Sequence, residues 1–249
     1  MLTDTHAHIV DSVFDADREA VLERAASAGL GAVVAVGEDL ADAEKNLSLA
    51  RRFPILKPAA GLYPTHLDPA AADALAAFIR SHRSALAAIG EVGLDFWVVK
   101  TEAERELQKT IFGRFIALAR EVALPLNVHS RSAGRHAVEL LTRENATKVQ
   151  LHAFDGKIAA ARPALEAGYL FSIPPSIVRS RQKQKLLHHL PLDCLLVESD
   201  SPVLGPDPRT RNEPANLTLA VEAIADIKGV PRERVIEAVT ANTYRLYGF

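Results

Sequence analysis

Two histidines separated by a single residue, His6 and His8, stand near the end of the first short apolar segment of the chain. Side chains two residues apart on a strand project to the same face, so both imidazoles can share one metal ion. Four more residues of metal-ligating type stand where later apolar segments end: Glu91, His129, His152 and Asp200. Four imidazoles and two carboxylates suit a pair of divalent cations, and the set predicts a metal-dependent hydrolase.

The donor types narrow the choice of metal. Imidazole and carboxylate suit zinc, manganese or iron, and magnesium less well at a site with several histidines. Zinc is the expected bound ion, with magnesium or manganese as alternatives that support activity. The single cysteine, Cys194, lies in an apolar run, so a structural zinc cluster of thiolates is excluded and no disulfide can form within the chain. A reducing, cytoplasmic location is therefore expected.

Short apolar segments alternate with longer amphipathic ones along all 249 residues. The predicted strands are Leu2–His8, Ala32–Val36, Ile55–Ala60, Ala87–Glu91, Leu126–His129, Val149–His152, Tyr169–Ser172 and Leu195–Glu198. The predicted helices are Asp17–Ala28, Leu40–Arg52, Ala70–Ser81, Glu102–Val122, Ala133–Arg143, Ile158–Ala167, Arg181–His189, Ala215–Ile227 and, closing the chain, Arg232–Leu246. This alternation predicts an α/β fold, a (β/α)8 TIM barrel in one domain over residues 1–249 with an extra C-terminal helix. An open doubly wound sheet is the rival, but no Gly-x-Gly-x-x-Gly follows the first strand.

The predicted ligands fall at the carboxyl ends of strands 1, 4, 5, 6 and 8. Barrel active sites are built at that end, and the spacing between ligands divides into units of about 25 to 40 residues, as a barrel of this length requires. Ile89 with Glu91, and Asn127 with His129, share strand faces, so each ligand can point inward.

Two stretches, Phe171-Ser-Ile-Pro-Pro-Ser176 and Gln182-Lys-Gln-Lys185, are most similar to the TatD domain-containing protein 3 branch of a larger family. Six further stretches resemble that family, the TatD-related metal-dependent deoxyribonucleases of the amidohydrolase-like barrel superfamily. These stretches are Asp4-Thr-His-Ala-His8, Gly61-Leu-Tyr-Pro64, Ile89-Gly-Glu-Val-Gly-Leu-Asp95, Pro125-Leu-Asn-Val-His-Ser-Arg131, Leu151-His-Ala-Phe-Asp-Gly156 and Glu198-Ser-Asp-Ser-Pro202. The resemblance departs from the family pattern after strand 3, where Tyr63 and Thr65 replace two histidines and His66 follows one place later.

The resemblance implies a site with two metals. His6 and His8 would bind the first metal together with Asp200, His129 and His152 would bind the second, and Glu91 would bridge them. The implied activity is hydrolysis of DNA phosphodiester bonds, often from a 3′ end. A metal-bridging hydroxide would be the nucleophile, with Asp200 and Glu91 as catalytic residues. Two alternatives stay open: a carboxylic ester or amide hydrolase, such as an aminoacyl-tRNA deacylase or a lactonase, and a non-catalytic metal-binding protein.

Charge is uneven along a chain whose formal net charge is −2, because residues 129–185 hold 10 Lys and Arg against 4 Asp and Glu. This imbalance predicts either solvated helix faces or a local anion-binding surface, with DNA ends or another phosphodiester as the partner. The candidate substrate or phosphate residues are Arg131, Tyr63, His66, Ser172, Arg179, Lys183, Arg211 and Asn212.

Asp95 and Glu198 are expected to support ligand histidines. Trp97, Phe96 and Tyr63 are candidates to stack a base at the mouth, but packing in the core or a loop is the favoured expectation for Trp97 and Phe96. No membrane segment and no obligate protein partner are indicated.

Overall fold

Eight short segments rich in aliphatic residues form the parallel strands of a barrel in a computed structural model that describes residues 1–249. The strands are β1 Leu2–Ala7, β2 Leu30–Ala35, β3 Leu56–Ala60, β4 Ala88–Gly93, β5 Leu126–His129, β6 Val149–Leu151, β7 Leu170–Ile173 and β8 Leu195–Val197. Each strand pairs in parallel with the next along the chain, giving the order β1 to β8. The TIM-barrel fold predicted from the sequence is confirmed.

A helix follows every strand and packs outside it. The helices are α1 Arg18–Ser27, α2 Leu40–Arg52, α3 Pro69–His82, α4 Glu102–Val122, α5 Gly134–Arg143, α6 Ile158–Glu166, α7 Arg181–His189, α8 Leu217–Lys228 and a ninth, α9 Arg232–Tyr247. Local sequence sets several starts. Asp68 caps α3 by accepting from the N–H groups of Ala70 and Ala71, and Thr101 and Glu104 form a capping box at α4. None of these helices combines the length and apolar composition needed to cross a lipid bilayer.

The fourth strand is longer than the sequence pattern predicts, since β4 continues past Glu91 to Gly93. Gly93 has a φ of +146°, and a side chain at this position would collide with the backbone carbonyl of His129. Only glycine therefore allows β4 and β5 to run this close together. The close approach brings Glu91 and His129 side by side.

The barrel closes through contacts between β1 and the residues that follow β8. The Asp200 N–H donates to the His6 carbonyl at 2.9 Å, and the His8 N–H donates to the Ser201 carbonyl at 2.8 Å. The buried Asp4 carboxylate accepts from the Ser199 N–H at 2.8 Å. These bonds hold the first and last ligand-bearing segments together, although they are nearly 200 positions apart in the chain.

Candidate metal centre

A cavity of about 580 Å³ opens at the carboxyl ends of the strands. Its walls include five of the six predicted ligands, and the sixth, His6, lies beneath them with no exposed surface. Almost all of this set is buried: Glu91 is 1% exposed and Asp200 4%. Burial of so many ionisable groups is costly unless a cation or hydrogen bonds compensate for it.

Two groups of donor atoms lie close enough to hold a cation each. His6, His8 and Asp200 form one group, in which the ligand atoms all lie within 4.8 Å of one another. His6, Glu91 and His152 form the second on the same criterion. The first group has the composition that the family resemblance implies. The second group differs from the implied one, because it contains His6, which also belongs to the first group. His129 lies beside Glu91 but is not a member of the second group.

Glu91 lies between the two histidine pairs. Its Oε2 faces His8, with 3.3 Å to Nε2, and its Oε1 faces His129 and His152, at 2.6 Å from Nδ1 and 3.4 Å from Nε2. Oε2 is buried and accepts no hydrogen bond. A buried carboxylate oxygen without a donor needs an explanation, and a cation at this point supplies one. The donor set and this orphaned oxygen fit a two-metal site.

Three ligand histidines use their second ring nitrogen to donate to an outer partner. His6 Nδ1 donates to the Asn127 side-chain oxygen at 2.8 Å. His129 Nε2 donates to Asp95 at 3.0 Å, and His152 Nδ1 donates to Glu198 at 3.2 Å. Such contacts fix the ring and its tautomer, leaving the inward nitrogen free to bind a metal.

Electrostatics in the cluster favour positive charge. Burial by itself lowers the pKa of His6, but the hydrogen bond to Asp200 and the negative charge of Glu91 outweigh it and raise the pKa to about 10. Burial also opposes the charge of His129, yet Glu91 and Asp95 raise its pKa to about 9. The pKa of Glu91 lies well below its ordinary value because the surrounding histidines outweigh its burial. The same field that retains protons attracts divalent cations.

Asp200 enters the cluster through an unusual backbone conformation. Its φ is +53°, in the left-handed region that residues with a side chain seldom adopt. Aspartate tolerates this region better than most residues. Strain of this kind persists only where the surroundings hold it, and here the bond to the His6 carbonyl does so. The conformation aims the carboxylate at His6, with Oδ1 3.4 Å from Nε2.

Three of the predicted substrate residues, Tyr63, Arg131 and Lys183, line the cavity. The Tyr63 ring lies 5.2 Å from the His129 ring, centroid to centroid. The Arg131 guanidinium has no carboxylate oxygen within 4.0 Å. Lys183 Nζ donates to the Ala153 carbonyl at 2.6 Å, and burial lowers the pKa of Lys183 despite the opposing effect of Glu198.

The other five predicted substrate residues do not line the cavity, and their contacts account for them structurally. Ser172 is buried and donates to Glu198 at 2.5 Å, so it supports the partner of His152. Arg211 forms a bidentate pair with Asp17, and Arg179 donates to the Gly205 carbonyl. Asn212 donates to the carbonyls of Ser199 and Val203, and His66 is exposed outside the cavity. All five residues stand at or after a strand end in the sequence, and that position alone did not show whether a side chain contacts substrate or supports the structure.

Sequence reasoning assigned no role to several residues that shape the site. Asn127 orients His6, and its inward position was implied by its strand parity with His129. Asp11 and Glu38 line the cavity on loops that carry no recognisable pattern, and Asp155 lines it within the Leu151–Gly156 stretch, where it was given no role of its own. Trp97 does not pack in the core, because it is 58% exposed, although the loop residues Lys100 and Arg131 lie over its ring. Phe96 is 8% exposed and packed as expected.

Comparison with known proteins identifies the family. The family model described as TatD related DNase matches residues 3–248. The chain belongs to the TatD-related DNase family. It is 43% identical to the deoxyribonuclease TATDN3 of Homo sapiens over 258 residues, covering 99% of this chain and 94% of the human protein. It is 32% identical to the uncharacterized metal-dependent hydrolase YabD of Bacillus subtilis, with 99% of each chain covered.

A solved structure supports the same assignment. The crystal structure of YjjV, a TatD homologue from Escherichia coli K12, has a TM-score of 0.92 against this chain at 26% identity, covering 100% of this chain and 98% of the other. The resemblance seen in the sequence motifs is thus confirmed, and this TatD-family chain is a metal-dependent hydrolase.

Proposed function

We propose that this TatD-family hydrolase cleaves phosphodiester bonds of DNA, acting from a 3′ end, with two divalent cations of which zinc is the bound form. The observation that carries the proposal is one cavity that holds both the cluster of imidazoles and carboxylates and two cationic side chains, Arg131 and Lys183. The human relative is named a deoxyribonuclease. Action from a 3′ end is the form of the activity that the motif resemblance implies.

Six side chains would hold the cations. His6, His8 and Asp200 would hold one, His129 and His152 would hold the other, and Glu91 would contribute an oxygen to each. When bound, such a pair of ions supplies Lewis acidity and an activated water as nucleophile. The protein contributes the fixed separation of the ligands, because Glu91 faces the two histidine pairs with different oxygens.

Asp200 is the residue best placed to handle the proton of the attacking water. Its carboxylate is 4% exposed and lines the cavity. Burial raises the pKa of Asp200, but the charges of His152, His6 and His8 outweigh it and lower the pKa overall. The group therefore stays ionised at neutral pH and can accept a proton in the reaction. In-line attack on phosphorus would follow at the strand ends, where this carboxylate points.

Charge pairing distinguishes two sides of the cavity mouth. On the side of β1, β2 and β8, cations on α1, α2 and the loop after β8 are neutralised by nearby carboxylates, as in the pairs Arg18–Asp15, Lys45–Asp15, Arg24–Glu213 and Arg211–Asp17. On the side after β5 and β7, Arg131 and Lys183 have no carboxylate within 4.0 Å. Unpaired cations facing a cavity favour an anionic substrate. A guanidinium suits a phosphate particularly well, whereas a carboxylic ester has no charge to match.

Tyr63 takes a position where the family pattern has a histidine. Burial and the charges of Glu91 and Asp95 raise the pKa of Tyr63, so its phenol remains neutral. A neutral phenol can donate a hydrogen bond to a phosphate oxygen but cannot carry the positive charge of an imidazolium. We expect Tyr63 to orient substrate in this cavity.

The test is a cleavage assay with the purified chain. Bound metal is first removed with a chelator, then magnesium, manganese or zinc is restored separately. Single- and double-stranded oligonucleotides labelled at the 3′ or the 5′ end serve as substrates. We expect release of mononucleotides from the 3′ end, loss of activity on chelation, and recovery with at least one ion. No phosphodiester cleavage with any ion, together with hydrolysis of aminoacyl-tRNA or a lactone, would contradict the proposal.

Matched arginine variants test the phosphate side of the cavity. R131A removes a cation that faces the cavity, and R211A removes one that is paired with Asp17 outside it. We expect R131A to raise KM for DNA and R211A to leave KM unchanged. Equal effects of the two substitutions would mean that the cavity cation has no special role.

A further inference from the structure

The only tryptophan of the chain is exposed beside the catalytic cavity. Trp97 follows β4 and is 58% exposed, an uncommon state for so large an apolar side chain. The Arg131 guanidinium, which lines the cavity, lies 5.2 Å from the centre of the indole ring. Lys100 Nζ lies at the same distance from it. Trp97 is therefore a solvent-exposed aromatic ring next to a cation that lines the cavity.

The turn that carries Trp97 is fixed to the metal cluster. Asp95 accepts from the Val98 N–H at 2.8 Å and, through its other oxygen, from His129 Nε2 at 3.0 Å. The Phe96 N–H donates to the Arg131 carbonyl at 3.0 Å. The backbone on both sides of Trp97 is thus fixed relative to His129 and Arg131. A preorganised aromatic surface loses little entropy on binding a flat ligand.

A second exposed apolar residue lies across the barrel mouth. Val203 follows β8, lines the cavity and is 56% exposed. Strands β4 and β8 are four positions apart in an eight-stranded barrel, so their loops lie on opposite sides of the mouth. Between them, on the β5 and β7 side, are the unpaired cations Arg131 and Lys183. An apolar side chain therefore flanks the two cations on each side, and the Asp155 carboxylate lies between them after β6.

This pattern matches the chemistry of a single nucleic-acid strand, in which phosphates alternate with flat, unpaired bases. We infer that Trp97 is a nucleobase-stacking platform, with Arg131 binding the phosphate next to the stacked base. The inference rests on the proposed function and adds a subsite to it.

The test combines two variants with abasic substrates. Wild-type enzyme, W97A and W97F, all loaded with metal, are assayed on a single-stranded oligonucleotide and on a series in which one base at a time is replaced by an abasic tetrahydrofuran. V178A is the matched control, since Val178 is exposed on the same face but does not line the cavity. Thermal unfolding and metal content verify that each variant is folded and loaded.

We expect W97A to raise KM for the normal strand by about 5- to 150-fold, the range that loss of one stacked base gives. W97F should retain most of the affinity, and V178A should match the wild type. One abasic position should reproduce the W97A effect in the wild-type enzyme and cause no further loss in W97A. A KM for W97A equal to that of the wild type would overturn the inference. So would an abasic position that raises KM in W97A by the same factor as in the wild type.

Tryptophan fluorescence gives an independent readout. Because Trp97 is the only tryptophan, any quenching of indole emission by a bound oligonucleotide reports this one position. A non-hydrolysable phosphorothioate strand should quench, and its abasic counterpart should not. If the wild-type enzyme cleaves no DNA at all, the proposed function has failed and this subsite fails with it. If DNA is cleaved but neither KM nor fluorescence depends on the base, only the stacking subsite is wrong.

Discussion

Replacement of Asp95 by asparagine tests how the protein prepares a histidine for metal binding. Asp95 is fully buried, and its two carboxylate oxygens accept from different donors, His129 Nε2 at 3.0 Å and the Val98 N–H at 2.8 Å. These hydrogen bonds outweigh the effect of burial and lower the pKa of Asp95. D95N keeps the shape of the side chain but turns one of the two acceptors into a donor.

Neither orientation of the new amide satisfies both neighbours. With its oxygen toward Val98, the amide NH2 faces His129 Nε2, which must then give up its hydrogen. The proton moves to Nδ1, the nitrogen that faces Glu91 and would bind the metal. With the amide reversed, two donors oppose each other at the Val98 N–H. Either outcome costs about 1–3 kcal/mol, the penalty of one unsatisfied buried donor, which corresponds to a 5- to 150-fold weaker metal site.

The assay is competition for metal between the protein and a chromogenic chelator, with kcat/KM measured in parallel. D155N is the matched control, because Asp155 lines the same cavity but its carboxylate accepts only from the Ser132 N–H and contacts no predicted ligand histidine. We expect one metal of D95N to bind roughly 10- to 100-fold more weakly, with D155N unchanged. Wild-type metal affinity and turnover in a folded D95N would refute the argument that Asp95 sets the tautomer of His129.

Three further predictions concern the cluster and the barrel interior. D200N should remain folded and bind metal, yet lose nearly all turnover, since an amide cannot accept the proton; unchanged rates would remove Asp200 from the chemistry. Metal uptake between about pH 7 and 8 should release roughly two protons, because the pKa values of about 10 for His6 and about 9 for His129 leave both protonated in the metal-free protein. An indicator dye in weak buffer measures this, and release of less than one proton would contradict it. Y247F should lower the free energy of unfolding by ~1–3 kcal/mol, because the Tyr247 hydroxyl forms hydrogen bonds with Gln150 and Asn127 inside the barrel. Urea unfolding measures this difference, and equal stability of Y247F and the wild type would show that these hydrogen bonds do not stabilise the fold.

Strand parity and strand order made the fold and the ligand cluster predictable from sequence. His6, His8 and His129 stand at or just after the ends of apolar segments, and side chains at alternate positions face the same way. Closing eight such strands into a barrel brings those ends together whatever their distance in sequence. Arg131 was a candidate for the same reason, since it stands two residues past the end of β5.

Residues on loops were not predictable in this way. Ser172 and Arg131 both stand close to the end of a strand, but Ser172 points into the barrel toward Glu198 while Arg131 points into the cavity. Arg211 was indistinguishable from a substrate residue until its carboxylate partner, Asp17, was seen nearly 200 residues away. The exposure of Trp97 depends on the turn that Asp95 fixes, and no periodic pattern encodes that turn.

We propose that six side chains, five of them buried, hold two cations with Glu91 between them. Anomalous X-ray diffraction from crystals equilibrated with zinc or manganese tests this arrangement most directly. We expect two anomalous peaks, one among His6, His8 and Asp200 and the other beside Glu91, His129 and His152. A single peak, or peaks remote from Glu91, in crystals of active enzyme would contradict it.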